Sequence, residues 1–181
     1  GHLSLYQLTI EPGTRFETMV RKHEFEPLDD DACADLYDLT AQMTAQAGLP
    51  AYEISNYARP GEESRHNLTY WRYRDYCGIG PGAHGRRGGV ATVRHRKPEN
   101  WLAGVAASGH GICEEQVLAP RDQAAEALLM GLRLSEGIDI EALGDRLSMP
   151  THLLVNEDKL SFFDNLGLTW RRGPVIAVTP R

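Results

Sequence analysis

His66 and Asn67, followed after two residues by Tyr70 and Trp71, are the side chains of this chain best suited to chemistry. A neutral imidazole is a good axial ligand for heme iron, and Tyr and Trp rings can pack flat on a macrocycle. The combination therefore points to a porphyrin. A second interpretation stays open, in which His66 and Asn67 hydrogen-bond a loop while Tyr70 and Trp71 fill the core.

Six of the eighteen glycines lie between positions 78 and 89. Glycine at this density is typical of backbone that bends through positive φ or approaches a ligand closely. Gly78, Gly80 and Gly82 are therefore candidates for the floor of a pocket, and a tight structural turn explains them equally well. His84 is predicted either to face a ligand or to occupy a turn.

Other catalytic arrangements find little support. Cys33, Cys77 and Cys113 are too far apart for a zinc or iron–sulfur motif, so the sequence predicts no Cys-based metal site in this chain. The carboxylate pairs Glu62-Glu63 and Glu114-Glu115 are sequence neighbours whose side chains diverge, which excludes an acid/base dyad within either pair. The chain also has no Gly-x-Ser-x-Gly elbow, which argues against a hydrolase.

Composition narrows the class of protein further. The chain has 181 residues, 41% of them hydrophobic, and a formal net charge of −6. This acidic balance argues against nucleic-acid binding, and the basic positions Arg86-Arg87 and Arg94 to Lys97 are predicted to form a solvated hairpin. There is neither a stretch of ~20 apolar residues nor a signal-peptide pattern, so we predict a cytoplasmic protein without a membrane span.

The first element that could position a site is a predicted strand from Leu3 to Ile10. Its alternation separates an apolar face from a face that becomes polar at Gln7 and Glu11. Such a polar end is what an α/β-barrel strand offers a ligand, and an edge strand with one wet face is the alternative. Pro12 then ends the strand, and a loop to about Leu28 is predicted.

A helix is predicted next, because three aspartates at 29–31 provide an N-cap before an apolar stripe. The stripe is expected to be buried core and consists of Ala32, Leu36, Leu39, Met43 and Ala47. Ala51 to Tyr57 is predicted to be one further strand. The order strand, helix, strand suggests a right-handed parallel crossover.

The remainder is predicted to contain a hairpin strand at Val90 to Val93, a helix from Pro98 to Ala107, and then three helices and a second hairpin. The three helices are expected to begin at Asp122, Asp139 and Thr151. Their expected buried residues are Ala125, Leu128, Leu129 and Leu132; Ile140, Leu143 and Leu147; and Leu160, Phe163 and Leu166. The second hairpin pairs residues 167–170 with 175–178, and the whole resembles a winged-helix module.

Four blocks in order resemble one known family. The resemblance is to the radical S-adenosylmethionine (SAM) proteins called oxygen-independent coproporphyrinogen III oxidase-like, and specifically to their heme-chaperone branch, HemW. It is specific from His2 to about His84 and looser through Leu128 to Gly137 and the C-terminal module. The blocks are residues 2–14, 52–61, 65–71 and 78–84.

This resemblance implies an α/β fold in which residues 1–118 form the C-terminal strands of a partial (β/α)6 radical SAM barrel. Residues 119–181 would form a small helical, winged-helix-like domain whose final helix could be missing. The family holds a 4Fe-4S cluster in a Cys-x3-Cys-x2-Cys loop and cleaves SAM, and that loop is absent here. We therefore expect a part of a longer protein that uses the cluster, SAM and heme, whereas this part alone is expected to be inactive and without a cofactor.

The family's His-Asn-x-x-Tyr-Trp motif, associated with heme, corresponds to His66, Asn67, Tyr70 and Trp71. His66 is thereby the candidate heme-iron ligand. The resemblance also places Gln7 and Glu11 near the mouth of the sixth barrel strand. It places Gly78, Gly80, Gly82 and His84 near the closing edge of the barrel, as further pocket candidates.

Three functions follow as hypotheses. The first is a heme chaperone that binds heme and passes it to acceptor proteins. The second is an anaerobic coproporphyrinogen III oxidase, which decarboxylates two propionate side chains by radical chemistry. The third is a free-standing module for a small ligand or a protein partner. Self-association through exposed strand edges is expected as well.

Overall fold

The computed structural model describes residues 1–179 and contains two compact units, one from Gly1 to Ser64 and the other from Arg65 onward. We refer to them as the N-terminal and C-terminal units. Pro180 and Arg181, the end of the predicted second domain, lie outside the described residues, and the predicted domain boundary at 118/119 stays a prediction. Within the described residues, no helix has the length and apolarity that crossing a bilayer requires.

The N-terminal unit contains a small antiparallel sheet and two helices. Its elements are β1 (His2–Ser4), α1 (Arg15–Arg21), α2 (Asp30–Gln46), β2 (Ala51–Glu53) and β3 (Asn56–Ala58). The strand order is β1-β3-β2, and both outer strands run antiparallel to β3. β1 and β2 therefore run in the same direction, as the predicted crossover requires, with β3 between them.

Both predicted strands of this unit are too long. The first ends at Ser4 rather than Ile10, and the segment from Ala51 to Tyr57 is two strands rather than one. The chain turns at Ile54 and Ser55, and the Leu5 amide donates to the Ser55 carbonyl at 2.9 Å. Because β3 begins only after this turn, strand pairing of the first segment stops there.

Helix α1 lies where a loop was predicted. The Glu17 amide donates to the Thr14 hydroxyl at 3.3 Å, and the Gly13 amide donates to the Glu17 carboxylate at 2.7 Å. This is close to a capping box, whose Thr-x-x-Glu signature is present in the sequence. The signal could have predicted the helix.

Helix α2 has the predicted start, since the Asp29 carboxylate accepts from the Ala32 amide at 2.8 Å. The predicted burial of its apolar stripe is wrong: Leu36, Leu39 and Met43 are 47%, 49% and 61% exposed. A 17-residue helix is about 25 Å long, whereas a three-residue strand spans about 10 Å. The sheet is too small to cover the stripe.

The C-terminal unit contains two further three-stranded antiparallel sheets, of order β4-β5-β6 and β7-β9-β8. Its elements are α3 (Arg65–Trp71), β4 (His84–Arg87), β5 (Val90–Arg94), α4 (Pro98–Ser108), β6 (Ile112–Val117), α5 (Pro120–Gly131), β7 (Ile138–Asp139), α6 (Ile140–Leu147), α7 (Thr151–Leu154), α8 (Glu157–Asn165), β8 (Thr169–Arg172) and β9 (Val175–Val178).

Most elements of this unit were predicted, with three differences in detail. α3, β6 and β7 were not predicted. α5 begins at Pro120 rather than behind an Asp122 cap, and Ala119 gives it no side-chain cap. The helix predicted from Thr151 is two helices, because Val155 is extended and Asn156 caps α8 by accepting from the Lys159 amide.

The core of the unit uses smaller residues than the apolar pattern predicts. Leu129, Phe163 and Leu166 are 72%, 42% and 50% exposed, and the Ala125 position of α5 is exposed too. α5 instead buries Ala124, Ala127 and Gly131. A Cβ at Gly131 would lie 2.7 Å from Ile138 Cδ1, so the helix approaches β7 too closely for a larger side chain.

Arg86 contradicts the prediction of a fully solvated basic hairpin, because it is only 8% exposed. Its guanidinium lies 3.4 Å from the centroid of the Tyr73 ring and donates to the Arg74 carbonyl at 3.1 Å. Glu126 Oε2 lies 3.8 Å from Arg86 Nη1 and accepts from the Tyr73 hydroxyl at 2.6 Å. We call Tyr73, Arg86 and Glu126 the Tyr73 cluster.

Tyr73 also ends helix α3 in a conformation that usually requires glycine. Its φ is +51°, its amide donates to the Tyr70 carbonyl, and the Arg74 amide donates to the Thr69 carbonyl, both at 2.9 Å. This is a Schellman-type C-terminus, and the left-handed residue costs roughly 1–2 kcal/mol when it is not glycine. Burial of the ring and its contacts with Arg86 and Glu126 offset that cost.

Replacement of Tyr73 by Phe removes only the hydroxyl of the Tyr73 cluster. Because a hydrogen bond to a carboxylate contributes about 1.5–3 kcal/mol, and Glu126 is partly exposed, we expect Tyr73→Phe to lower the free energy of unfolding by about 1–2 kcal/mol. Urea denaturation measures the change. Tyr6→Phe, at a side chain that is 76% exposed, is the control and should leave the midpoint unchanged; equal midpoints for both variants would contradict the assignment.

The same hydroxyl makes stability depend on alkaline pH. Burial raises the pKa of Tyr73 well above its ordinary value of 10.0, and the hydrogen bond to Glu126 is the second largest cause of this increase. Above pH 10 the unfolded chain therefore loses a proton that the folded chain retains, and stability should fall with rising pH by up to about 1.4 kcal/mol per pH unit. Unfolding curves between pH 9 and 11 should show a shallower decline for Tyr73→Phe, and parallel declines would refute the argument.

Candidate functional site

Helix α3 places the His-Asn-x-x-Tyr-Trp motif on a single helical segment. His66 and Tyr70 are four residues apart, so they lie on the same face, and their ring centroids are 4.8 Å apart with an interplanar angle of 82°. Asn67 and Trp71 have the same spacing one position further and occupy the adjacent face. The edge of one ring against the face of the other orients the His66 imidazole.

His66 and Tyr70 line an open cleft of about 530 Å³, within the size range of small-molecule sites. The Tyr70 ring also packs against the Tyr76 ring, at a centroid distance of 4.4 Å. Burial raises the pKa of the Tyr76 hydroxyl, which keeps this phenol neutral. We call this the His66 cleft; its other lining residues are Tyr76, Cys77, Gly78, Ile79, Ala83 and His84.

The glycine-rich loop forms part of the cleft wall through Gly78 and His84. A Cβ at Gly78 would lie 2.1 Å from the His84 carbonyl oxygen, so only glycine fits this close approach. Gly80 and Gly82 have φ values of +93° and +72° and lie outside the cleft lining. Positive φ in a turn thus accounts for Gly80 and Gly82, whereas Gly78 is required by the close approach to His84 and is also a wall of the cleft.

Trp71 does not line the His66 cleft. It borders a second cavity of about 330 Å³, and the Arg133 guanidinium lies 4.4 Å from the centroid of its ring. Its indole Nε1 is buried and has no hydrogen-bond acceptor among residues 1–179. The motif therefore divides between two faces, with His66 and Tyr70 in the cleft and Trp71 outside it.

Gln7 and Glu11 belong to the N-terminal unit. The Gln7 amide donates to the Cys33 carbonyl at 2.6 Å and lines a cavity of about 550 Å³ with mostly apolar walls. Glu11 lies outside that lining, and its backbone carbonyl accepts from the Thr14 hydroxyl at 2.7 Å in the turn before α1. Of these two candidates, only Gln7 therefore faces a cavity.

Tyr76, Ile79 and Ala83 also line the His66 cleft, and none of them was predicted as a site residue. Tyr76 lies two residues before Gly78 and Ile79 lies between Gly78 and Gly80, so an aromatic residue close to such a run was the available signal. Ile79 is 87% exposed, which places an apolar side chain at the rim of the cleft. Cys77 was considered only as a metal ligand, and it too lines the cleft.

The side chains present can ligate heme iron and do not fit an iron–sulfur cluster. Among residues 1–179, no three or more His, Cys, Asp or Glu side chains are arranged to hold a metal ion. Cys33, Cys77 and Cys113 are free and lie on α2, in a loop and on β6 respectively, so they do not fit a 4Fe-4S cluster. An imidazole in an open cleft, as supplied by His66 or His84, does fit axial ligation of heme.

Several known proteins are similar in sequence. Residues 118–181 match the HemN C-terminal domain family. The mitochondrial radical S-adenosyl methionine domain-containing protein 1 of Mus musculus is 41% identical over 145 residues, which cover 76% of this chain and 33% of that protein. The heme chaperone HemW of Bacillus subtilis is 32% identical over 145 residues, covering 80% and 38%. HemW of Mycobacterium tuberculosis H37Rv is 35% identical over 143 residues, covering 79% and 37%.

A solved structure is similar in fold. The coproporphyrinogen III oxidase HemN from Escherichia coli, described as a radical SAM enzyme, matches with a TM-score of 0.70 at 16% identity. The match covers 98% of this chain and 44% of that chain. At this identity the match shows a shared mixed α/β fold.

The chain spans about a third of the length of the curated relatives described above. The relatives confirm the resemblance predicted from the four sequence blocks. The chain is thus similar in sequence to the HemW heme chaperones and to radical SAM domain-containing protein 1, and its residues 118–181 match the model of the HemN C-terminal domain family.

Proposed function

We propose that this chain provides a heme-contacting surface of a HemW-like radical SAM protein that binds heme and delivers it to acceptor proteins. The observation that supports this most directly is the pairing of His66 and Tyr70 on one face of α3, inside a cleft that also contains His84. The relatives named heme chaperone HemW support the same ligand.

In this proposal the His66 imidazole ligates the heme iron. The ring of Tyr70 holds the imidazole by an edge contact, and Tyr76 extends the aromatic wall on which a macrocycle packs. Gly78 keeps the adjacent loop close enough to complete the wall, and His84 is a further contact. Asn67 and Trp71 belong to the same motif and lie on the neighbouring face of the helix.

The 4Fe-4S cluster and SAM are proposed for the longer protein. The described residues supply no cluster ligands, so the chain alone is expected to be catalytically inactive and to contain neither group. We also propose that residues 1–118 complete a partial (β/α)6 barrel and that residues 119–181 form a winged-helix-like domain. The fold likeness to HemN supports the first assignment. The helices α5 to α8 with the hairpin β8–β9 support the second.

Coproporphyrinogen III oxidation is the second candidate, since the solved relative in fold is such an enzyme. Sequence identity favours the chaperone, at 32% and 35% for the HemW relatives against 16% for HemN. An anaerobic assay of the longer protein with coproporphyrinogen III separates the two. Release of CO₂ from the propionates would favour the oxidase, and its absence together with heme transfer would favour the chaperone.

A free-standing binding module is the third candidate. The coding sequence upstream of Gly1 distinguishes it, because an in-frame Cys-x3-Cys-x2-Cys triplet would make the chain part of a radical SAM protein. Nucleic acid is not among the proposed partners, given the net charge of −6. The cytoplasm stays a prediction, and a relative from Mus musculus is named as mitochondrial.

The role of His66 can be tested by titrating hemin into the longer protein. We expect a shifted Soret band, and at least roughly tenfold weaker binding for His66→Ala because the axial ligand is lost. His152→Ala is the matched control, since His152 is an exposed histidine on α7 outside the cleft. Identical spectra and affinities for wild type and His66→Ala would exclude axial ligation by this residue.

Self-association through strand edges is tested by sedimentation velocity over a range of concentrations. β1 is an edge strand of its sheet, and Leu3 on it is 41% exposed. We expect dimers in wild type and a larger monomer fraction for Leu3→Lys, because a charge on an edge opposes pairing. Leu153→Lys, at an exposed leucine of α7, serves as the control. A wild-type chain that stays monomeric at all concentrations would refute the expectation.

A further inference from the structure

The C-terminal unit contains a cavity of about 400 Å³ that shares no lining residue with the His66 cleft. Two guanidinium groups, those of Arg86 and Arg146, are in its wall. We propose that this cavity, here called the arginine cavity, binds a small polyvalent oxyanion whose carboxylate or phosphate groups are held by Arg86 and Arg146.

The two arginines meet around one aromatic ring. The Arg86 guanidinium carbon lies 3.4 Å from the Tyr73 ring centroid, and that of Arg146 lies 5.6 Å from the same centroid. Arg146 also donates to the Tyr73 backbone carbonyl at 3.4 Å. Both positive charges are thereby held close to the same wall of the cavity.

Both carboxylates close to the two arginines already accept hydrogen bonds from other groups. The Arg86 side chain is 9% exposed and lies 3.8 Å from Glu126, a carboxylate that also accepts from Tyr73. Asp75, the acidic residue of the described lining, already accepts from the Gly88 amide at 2.9 Å. Desolvation lowers the pKa of Arg146; among the neighbouring groups Tyr73 and Asp75 raise this pKa, and the positive charge of Arg86 lowers it. A bound anion would relieve this repulsion.

Helix α5 begins at the same place. Its first residue, Pro120, and Gln123 in its first turns both line the cavity. Ala119 provides no side-chain cap, but its carbonyl accepts from the Asp122 and Gln123 amides, and Asp122 is an acidic residue in the first turn. The helix end therefore contributes wall residues to the cavity, whereas the two arginines contribute its positive charge.

The backbone around the cavity is unusual. Gly88 and Gly89 have φ values of +57° and +74° and present main chain rather than side chains to the cavity. Tyr73 and Ser148 also line it, and they are two of the three non-glycine residues with positive φ in residues 1–179. Left-handed backbone at non-glycine residues is enriched at binding sites.

The two guanidinium groups determine which class of ligand the arginine cavity can bind. A guanidinium presents a planar fork that matches the two oxygens of a carboxylate or phosphate group. Two forks in a cavity of this size favour a small ligand with more than one negative group over a single halide ion. Citrate and inorganic phosphate represent the two possible sources of such groups.

The test is an NMR titration of the ¹⁵N-labelled chain with citrate and, separately, with inorganic phosphate, at an ionic strength held constant with chloride. We expect saturable shifts of the Gly88, Gly89 and Ser148 amides with at least one of the two anions. The anion that saturates at the lower concentration identifies the group that the cavity prefers. Shifts that are absent or do not saturate with both anions would overturn the proposal.

Arg146→Gln removes one fork at an exposed position and should weaken binding at least about tenfold, whereas Arg146→Lys should bind with intermediate affinity. Arg121→Gln is the matched control, because Arg121 is an exposed arginine at the same end of α5 outside the lining. The spectrum of each variant reports its folding. Equal affinities for wild type and Arg146→Gln would also overturn the proposal, and His66→Ala should leave anion binding unchanged.

Discussion

The contact of Arg86 with Tyr73 is the interaction on which the C-terminal unit depends most. It joins the end of α3 to strand β4, and through Glu126 it joins both to helix α5. A buried guanidinium is stable only when its charge and its donors are satisfied, and here the ring face, the Arg74 carbonyl and Glu126 do so together. The same contact stabilises the left-handed conformation of Tyr73.

The position of the His66 cleft follows from that junction. α3 is only seven residues long, so the residue that ends it also determines where His66 and Tyr70 point. On the other side, Arg86 and Tyr76 exchange backbone hydrogen bonds of 2.8 and 3.0 Å, which hold the start of the glycine-rich loop beside the helix. Gly78 then permits the close approach to His84 that completes the wall. The α3 motif and the glycine-rich loop thus lie side by side, because Arg86 contacts Tyr73 at the end of the helix and pairs with Tyr76 at the start of the loop.

The two sites of this unit are related through the same residues. Tyr73 and Arg86 face the arginine cavity, whereas Tyr76, the backbone partner of Arg86, lines the His66 cleft. A change in the position of Arg86 would therefore alter both walls. In the two proposals, the Tyr73 cluster thus supports the wall of the heme cleft, and its members Tyr73 and Arg86 line the anion cavity.

The sequence by itself determined the local features whose cause is local. Asp29 and Asp139 mark helix starts because a carboxylate next to free amides needs no distant partner. The four ordered blocks indicated the resemblance that the relatives confirm. The spacing of His66 and Tyr70 places them on one face only when residues 65–71 form a helix, and that helix was not predicted. The missed helix α1 also had its local signal in Thr14 and Glu17.

Only the tertiary structure decided which surfaces are buried, because burial depends on what lies opposite. The stripe of α2 is exposed since its sheet is short, and α5 turns Ala127 and Gly131 inward since β7 approaches its backbone closely. The sequence predicts Arg86 to be a surface residue. It is buried because Tyr73, thirteen positions earlier, packs its ring on the guanidinium and donates to Glu126, the carboxylate that also lies near Arg86. Long-range pairs of this kind leave no periodic pattern, so the cleft and the arginine cavity become visible only in three dimensions.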